Sequence, residues 1–250
     1  MTIEDAIRRA KILGRERLQR QETVEANARQ ERPAARPHAE PVMRFEPLGK
    51  VDISASACEQ NRVLLLDSQL REFPAADAAY RLLRSRLANR FKRNNWFSLA
   101  IASPSQSDGK SVTAVNLAIS VAREKQRPVY LLDLDMRNPS VCRFLGVRDI
   151  RPLPEYLLGL AKPEDVLFET SLPSLIVAGA LSPTDSASEL LAGPRFGELL
   201  AHIRLRSPNA VVIVDLPPVN VTDEALLVGP QVDVFLVVVS EGKTERAQLS

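Results

Sequence analysis

Residues Leu99–Leu117 read LAIASPSQSDGKSVTAVNL, and this stretch does most to decide the fold. The apolar run Leu99–Ala102 leads into a polar loop, which closes on Gly109, Lys110 and Ser111 and opens a helical pattern. Strand, loop, Gly-Lys-Ser and helix in this order are the layout of a phosphate-binding loop. Phosphate oxygens require backbone N–H donors at a helix N-terminus and a cation, and this layout supplies both.

The loop departs from the usual pattern G-x-x-x-x-G-K-[ST]. Pro104 stands at the first glycine position, and Ser107 stands where many such loops use glycine to reach a positive φ. The loop alone therefore leaves an ordinary strand-to-helix turn as an equal alternative. If the loop does bind a nucleotide, its binding residues are predicted to be Ser105, Gln106, Ser107, Asp108, Gly109, Lys110, Ser111 and Val112.

Two later apolar segments end in acidic residues. PVYLLDLDMRNP (128–139) places Asp133, Asp135 and Arg137 on one side of a strand end, and AVVIVDLPP (210–218) ends its apolar run at Asp215. Two carboxylates on one side repel each other unless a cation lies between them, and Mg²⁺ on nucleotide phosphates would be such a cation. Each acid alone is as well explained as the cap of a following helix. The three strand ends in this order favour a nucleotide site.

The pattern along the chain predicts an α/β fold. Short apolar strands alternate with helical segments, which indicates a P-loop NTPase-like, mostly parallel sheet with helices on both faces. Strands are predicted near 97–102, 129–134 and 174–177 and at the runs that end at 215 and 239; helices are predicted near 75–91, 110–124, 153–160, 188–191 and 194–205. Ligands bind at the carboxyl ends of such strands, where the lysine and the acids fall.

Composition narrows the class of protein. The 250 residues carry a formal net charge of +2, which gives no case for nucleic acid as a partner. Two cysteines and two histidines, scattered along the chain, predict no disulfide framework and no transition-metal site. The longest apolar run, Val234–Val239, is far shorter than the roughly 20 residues that span a bilayer. We expect a cytoplasmic protein with no transmembrane span of its own.

Three segments are predicted in chain order. Residues 1–21 form a basic amphipathic helix, which either docks to a membrane surface or partner or is simply solvated. Residues 22–60 form a Pro-rich, largely disordered linker, so that the extension as a whole is helical and disordered. Residues 61–250 form the nucleotide-binding domain. Its first helix carries Tyr80, Leu83, Leu87 and Phe91 on one face beside an arginine cluster, which fits an intersubunit helix or a solvated basic face.

From about Asn61 onward the sequence resembles the bacterial tyrosine kinase family of capsule and exopolysaccharide export. The resemblance rests on stretches that include AAYRLLRSRL, SPSQSDGKS, LLDLDMRNP, SELLAGPRFGELL, VVIVDLPPV with TDEALL, and DVFLVVVSEGKT. LLDLDMRNP, with the pattern D-x-D-x-R, is the most specific of them. The resemblance implies an ATP-dependent, Mg²⁺-dependent protein-tyrosine autokinase that regulates polysaccharide polymerisation and export.

The resemblance also implies roles for single residues. Lys110 would grip the phosphates, Ser111, Asp135 and Asp215 would hold Mg²⁺, and Asp133 would activate the acceptor tyrosine; Arg137 completes the catalytic set. It further implies a homo-oligomer formed through the Tyr80–Phe91 helix. A membrane-bound chain-length regulator, a polysaccharide co-polymerase, would activate the protein and hold it at the inner face of the membrane.

The sequence departs from the family in ways that keep alternatives open. Ala78 replaces the acid of the family's E-x-x-R-x-x-R helix, and only three tyrosines are present, Tyr80, Tyr130 and Tyr156. The family's final strand is missing before Ser250, so truncation is expected there. One alternative is a nucleotide-switched regulatory ATPase that phosphorylates no tyrosine. The other is a partition-type ATPase, which usually carries an early loop lysine where Ser105 stands.

Overall fold

A computed structural model describes residues 45–46, 48–65, 72–242 and 244. The basic helix predicted over residues 1–21 lies outside the described residues, as does the linker up to residue 44. Within the described part, no helix is both long enough and apolar enough to cross a bilayer.

The described residues form seven strands and nine α-helices in one α/β arrangement. The strands are β1 (Gly49–Val51), β2 (Ser98–Ala102), β3 (Val129–Asp133), β4 (Phe168–Thr170), β5 (Leu175–Ala178), β6 (Val211–Asp215) and β7 (Val234–Val237). The helices are α1 (Ala55–Gln60), α2 (Pro74–Asn94), α3 (Lys110–Ala122), α4 (Val141–Leu145), α5 (Leu153–Leu157), α6 (Pro163–Val166), α7 (Ala187–Ala192), α8 (Arg195–Arg206) and α9 (Glu224–Val228).

The strands form one sheet in the order β1-β4-β5-β3-β6-β2-β7. All neighbouring strands pair in parallel except β4 and β5, so β1 and β4 run opposite to the other five. The central strands β2, β3 and β6 are fully buried, as their continuous apolar sequences predict. Their register places the carboxyl ends of β3 and β6 side by side, with Asp133 opposite Asp215.

Both faces of the sheet are covered, and two apolar clusters result. One cluster packs α5, α7 and α8 against the side chains of one face, and the other packs α2, α3 and α4 against the opposite face. Helix α3, which follows the phosphate-binding loop, is buried along almost its whole length. The predicted mostly parallel sheet with helices on both faces is confirmed.

Residues 48–60 correct the predicted linker, because they belong to the domain. Leu48 is buried, β1 pairs with β4, and α1 buries Cys58 against the second cluster. The amide of Ser54, the residue before α1, donates to the carbonyl of Leu145. A strand of three residues and a helix of six carry too little periodicity to be predicted, and they become stable only by adding to an existing sheet edge.

Helix α2 packs its apolar face against its own chain. Tyr80, Leu83 and Leu87 are half-buried and pack with buried Phe91 against the cluster around α3 in the same chain. Arg84 ties the two helices together, since its Nη1 donates to the Ser120 carbonyl at 2.8 Å and its Nε lies 3.0 Å from Glu124 Oε1. The exposed face of α2 is therefore the basic one, which carries Arg86, Arg90 and Arg93.

Candidate functional site

The phosphate-binding loop connects β2 to α3, and its own side chains fix its shape. Asp108 is the central residue: its Oδ2 accepts from the Ser105 amide at 3.0 Å, and its Oδ1 accepts from Ser240 Oγ at 2.9 Å. Ser107 has φ +64°, in the region that glycine usually occupies, and Gly109 has φ +90°. Ser107 thus adopts a left-handed backbone conformation that glycine adopts more easily. The hydrogen bonds of Asp108 help to hold the loop in this conformation.

Lys110 lies at the start of α3 and is buried among carboxylates. Its Nζ is 2.5 Å from Asp135 Oδ2 and 3.7 Å from Asp215 Oδ1, and it donates to Ser111 Oγ at 3.1 Å. Burial alone lowers the pKa of Lys110, but the negative charges of Asp215 and Asp135 outweigh it, so the pKa lies above its ordinary value. The ammonium therefore stays charged and neutralises part of this acidic pocket.

Asp215 ends β6 with a fully buried carboxylate that is only partly paired. Lys110 Nζ lies 3.7 Å from its Oδ1, and the Ser111 hydroxyl lies close to it. Burial raises the pKa of Asp215 to about 7, and the neighbouring Asp133 adds to the rise. A partly paired buried carboxylate beside a hydroxyl and a second carboxylate suits a hard cation such as Mg²⁺, which prefers oxygen ligands.

Asp133, at the end of β3, is also fully buried but is fully engaged. Its Oδ2 accepts from the amides of Ser140 and Val141, both at 2.9 Å, and its Oδ1 accepts from the Asp135 amide at 3.1 Å. The side chain thus holds the N-terminus of α4, the capping role that was the alternative explanation for this acid. Burial raises the pKa of Asp133 to about 6 in spite of these hydrogen bonds.

Arg137 is the one predicted site residue that the structure does not connect to this cluster. Its Nε lies 2.8 Å from Glu224 Oε1, and its Nη2 donates to Ser188 Oγ at 3.3 Å, which in turn donates to Asp223 Oδ1 at 2.7 Å. Glu224 is buried, and no donor among the described residues reaches its Oε2. No sequence spacing pointed to this network, because its members come from three segments that are far apart in the chain: the loop after β3, helix α7 and the start of α9.

The structure brings together Lys110, Ser111, Asp133, Asp135 and Asp215 at the carboxyl edge of the sheet, below the loop of residues 105–112. Within residues 45–46, 48–65, 72–242 and 244, no group of three or more His, Cys, Asp or Glu forms a metal site by itself. That is compatible with Mg²⁺, which nucleotide sites bind through one or two carboxylates together with phosphates. Ser240 was missed, since it follows β7 and reaches the loop only through the fold.

Comparison with known proteins agrees with this geometry. Residues 98–246 match the family model ParA, described as NUBPL iron-transfer P-loop NTPase, which covers more than half of the chain. The tyrosine-protein kinase CpsD of Streptococcus agalactiae is 29% identical over 188 residues, which span 74% of this chain and 79% of CpsD.

Solved structures show the same fold. The BceF tyrosine kinase domain superposes with a TM-score of 0.62 at 25% identity and covers 81% of this chain and 84% of that one. The kinase domain of the Escherichia coli tyrosine kinase ETK gives a TM-score of 0.67 at 23% identity, with 82% of each chain covered. The chain therefore belongs to the ParA family of P-loop NTPases and is a relative of the bacterial tyrosine-protein kinases.

Proposed function

We propose that this protein binds Mg·ATP at the carboxyl edge of the sheet and transfers the γ-phosphoryl group to a protein tyrosine. The observation that carries the proposal is the buried Lys110 ammonium, held beside Asp135 and Asp215 at the start of α3. Cation, paired acids and loop amides at one helix N-terminus are the parts that phosphoryl transfer requires. The kinship with tyrosine-protein kinases supports tyrosine as the acceptor.

In this proposal the loop binds the phosphates and the acidic residues bind the metal. Amides of residues 105–112 and the Lys110 ammonium would hold the phosphate oxygens. Ser111, Asp135 and Asp215 would hold Mg²⁺, which when bound neutralises charge on the β- and γ-phosphates. Lys110 now contacts the acids, and phosphate binding gives it a second set of anionic partners.

The transfer itself needs positioning and one proton acceptor. The tyrosine oxygen forms a bond to the γ-phosphorus, the bond from that phosphorus to the bridging oxygen of ADP breaks, and the phenolic proton leaves. We assign the proton to Asp133, whose raised pKa matches it better to this task than an ordinary aspartate. Three backbone amides donate hydrogen bonds to the Asp133 carboxylate and fix its position.

None of the three tyrosines of this sequence has a fully exposed side chain. Tyr130 and Tyr156 are buried, with their hydroxyls bonded to Ser207 Oγ and to the Arg195 carbonyl, and Tyr80 is half-buried on α2. We therefore propose that none of these three is the acceptor. The same observation favours one second candidate, a nucleotide-switched regulator of the same system that transfers no phosphate to tyrosine.

The system that we propose for this chain is exopolysaccharide or capsule assembly. The relatives CpsD and wzc, both tyrosine-protein kinases, support this setting. The proposal includes a membrane polysaccharide co-polymerase as activator, which would hold the protein peripherally at the inner membrane face. Self-association would use the exposed basic face of α2. Among the alternatives, a partition-type ATPase is disfavoured, because the kinases are the named relatives and Ser105 stands where such proteins carry lysine.

The proposal is tested with wild type and Lys110→Met, which keeps side-chain length and removes the cation. Isothermal titration calorimetry with Mg·ATP and Mg·ADP should show wild-type binding and a loss of at least tenfold in the variant, since hydrogen bonds to charged groups contribute about 1.5–3 kcal/mol. Phosphotyrosine formation on a tyrosine peptide then separates kinase from regulator. Equal nucleotide affinity in both proteins would exclude the assignment of Lys110.

A further inference from the structure

The structure contains a second concave surface beside the candidate site, which we call the side groove. It lies between α1, the segment Asn138–Arg148 and the turn at 180–183, and it encloses about 830 Å³. None of its lining residues belongs to the predicted nucleotide site. Its volume is in the range of ligand-binding clefts, which are about 300–1,000 Å³.

The side groove lies directly beside the acidic cluster of the candidate site. The amide of Asn138, in its wall, donates to Asp135 Oδ1 at 3.2 Å. Cys142 lines the groove from α4, the helix whose first amide is held by Asp133 Oδ2. A chain lying in the groove would therefore pass directly beside the carboxylates at the end of β3.

The electrostatics of the side groove favour a negatively charged occupant. Arg143 and Arg148 line it, both are exposed, and neither forms an ion pair with any described residue. No carboxylate is among the described lining residues; the remaining polar ones are the amides of Gln60, Asn61 and Asn138. The guanidinium of Arg143 lies over the Phe144 ring, with Cζ 5.2 Å from the ring centroid. Exposed guanidinium groups that have no carboxylate partner are suited to bidentate pairing with carboxylates.

Apolar side chains also line the side groove. Leu181, which is 44% exposed, lines it together with Pro139 and Pro183. A leucine that projects into an open groove can pack against an aromatic ring or an aliphatic side chain of a bound peptide. Cationic and apolar side chains together fit a peptide that carries both carboxylates and an aromatic residue.

We propose that the side groove docks the phosphoryl acceptor, an acidic tyrosine-bearing segment of another polypeptide chain. This rests on the proposed function, because all three tyrosines of the sequence are buried or half-buried and an external acceptor needs a place to bind. Arg143 and Arg148 are specificity-determining residues that recognise acidic side chains flanking the tyrosine. Leu181 supports the segment through apolar contact.

The test measures peptide binding without turnover. Three fluorescein-labelled peptides carry one phenylalanine in place of tyrosine, flanked by glutamates, by lysines or by serines. Fluorescence anisotropy with the full chain should give the glutamate peptide at least tenfold higher affinity than either of the others. Arg143→Glu with Arg148→Glu should abolish that preference, whereas Arg143→Lys with Arg148→Lys should retain most of it. The control is Lys125→Glu, which changes an exposed cation at the opposite end of the sheet and should leave all three peptide affinities unchanged.

Further measurements separate the side groove from the proposed function. Calorimetry should show Mg·ADP affinity of the double glutamate variant within twofold of wild type, which also verifies folding. With the tyrosine form of the glutamate peptide, the variant should raise KM at least tenfold and leave kcat nearly unchanged. Binding of the glutamate peptide by a protein that forms no phosphotyrosine would support the groove and contradict the kinase assignment. Phosphorylation with an unchanged KM would overturn the groove alone.

Two other outcomes also overturn the proposal. One is equal affinity for the three peptides. The other is that the double glutamate variant keeps its peptide affinity but loses binding to vesicles of phosphatidylserine and phosphatidylcholine, because the two arginines would then serve a lipid surface.

Discussion

At the scale of single residues, the site is defined by an imbalance of charge. One ammonium, Lys110, faces three carboxylates. Backbone amides satisfy Asp133, whereas the buried Asp215 is only partly paired, with Lys110 Nζ 3.7 Å from its Oδ1. The pKa of Asp215 rises to about 7 because the fold removes this group from water without pairing it fully. A metal cation bound at this position would relieve the resulting electrostatic cost.

Asp215 makes stability depend on pH with a definite sign. Burial raises its pKa from the ordinary 3.8 to about 7, so between about pH 4 and 7 the folded protein binds more protons than the unfolded chain, and its stability falls as pH rises. Asp215→Asn should flatten this dependence and raise the Tm of the nucleotide-free protein at pH 8, by about 2–4 °C for each kcal/mol relieved. Thermal denaturation from pH 4 to 8 measures this, with the exposed Asp149→Asn as control. A Tm of the Asp215→Asn variant below that of wild type at pH 8 would contradict the raised pKa of Asp215.

Asp133 can be tested for capping and proton transfer separately. Asp133→Asn keeps an oxygen that accepts the Ser140 and Val141 amides but loses the ability to take a proton. We expect Mg·ADP affinity close to wild type and tyrosine phosphorylation lower by at least about 100-fold. Asp133→Leu, which also removes the cap, should lower the Tm clearly. Normal turnover of the asparagine variant would mean that Asp133 only caps α4.

At the scale of elements, short segments far apart in the chain support each other around the site. Helix α1 packs on α4, and the close approach requires Gly146 at the end of α4. Loop 219–220 bonds to the start of the phosphate-binding loop through the Ser103 and Pro104 carbonyls, and Ser240 reaches its Asp108. The phosphate-binding loop is thus held by the segments that follow β6 and β7.

A substitution at Gly146 tests the packing of α1 against α4. Its φ is +69°, and a Cβ there would lie 2.4 Å from Ser54 Cβ and 2.9 Å from Ala57 Cβ. Gly146→Ala should cost about 2–5 kcal/mol of unfolding free energy, the sum of backbone strain and overpacking. Gly242→Ala is the matched control, with φ +75° and no atom within 4 Å of the added Cβ, and should cost only about 1–2 kcal/mol. Urea denaturation measures both; equal losses would show that the α1 contact adjusts freely.

The exposed face of α2 is where we expect self-association. Arg81 and Arg84 are poor positions for testing it, because Arg81 pairs with Asp77 and Arg84 links α2 to α3 within the chain. Arg86→Glu with Arg90→Glu should weaken self-association at least tenfold by reversing charge at the contact. Light scattering and turnover across protein concentration measure this, with Lys92→Glu plus Lys125→Glu as control. Specific activity that stays constant with concentration would remove α2 from the mechanism.

At the scale of the whole molecule, the sheet extends past its parallel core by two short reversed strands. β4 adds antiparallel to β5, and β1, from the start of the described domain, completes that edge. Phe45 and Glu46, just before β1, contact His202, Arg206 and Lys162. Of the segment predicted as linker, the described residues from Phe45 onward therefore pack with the domain, which does not begin near residue 61.

Two truncations locate the start of the domain. Deletion of residues 1–44 keeps Leu48 and β1, whereas deletion of residues 1–50 removes buried Leu48 and most of β1. Loss of a buried leucine costs about 2–5 kcal/mol. We therefore expect the longer deletion to have a Tm lower by on the order of 5 °C or more than the shorter one. Differential scanning calorimetry makes the comparison. Equal Tm values would place the boundary after Lys50.

The sequence by itself determined the central sheet and the chemistry of its carboxyl edge. The sequence shows continuous apolar runs that end at Asp133 and Asp215 and a loop that ends in Gly-Lys-Ser. These runs predict buried strands because local hydrophobicity is sufficient to indicate them, and parallel strands place their carboxyl ends at one edge of the sheet. For that reason the sequence predicted Lys110, Ser111, Asp135 and Asp215 at one edge of the sheet, where the structure brings them together.

Only the tertiary structure decided the rest. The sequence left open whether Asp133 caps a helix, and the structure shows that it holds α4. The pairing of Arg137 with Glu224, the bond from Ser240 to Asp108 and the addition of β1 to β4 were not predictable. Most of these contacts join residues from distant loops, and short elements such as β1 and α1 gain stability only from the surface on which they pack. The side groove has the same origin, because three segments that share no sequence pattern enclose it.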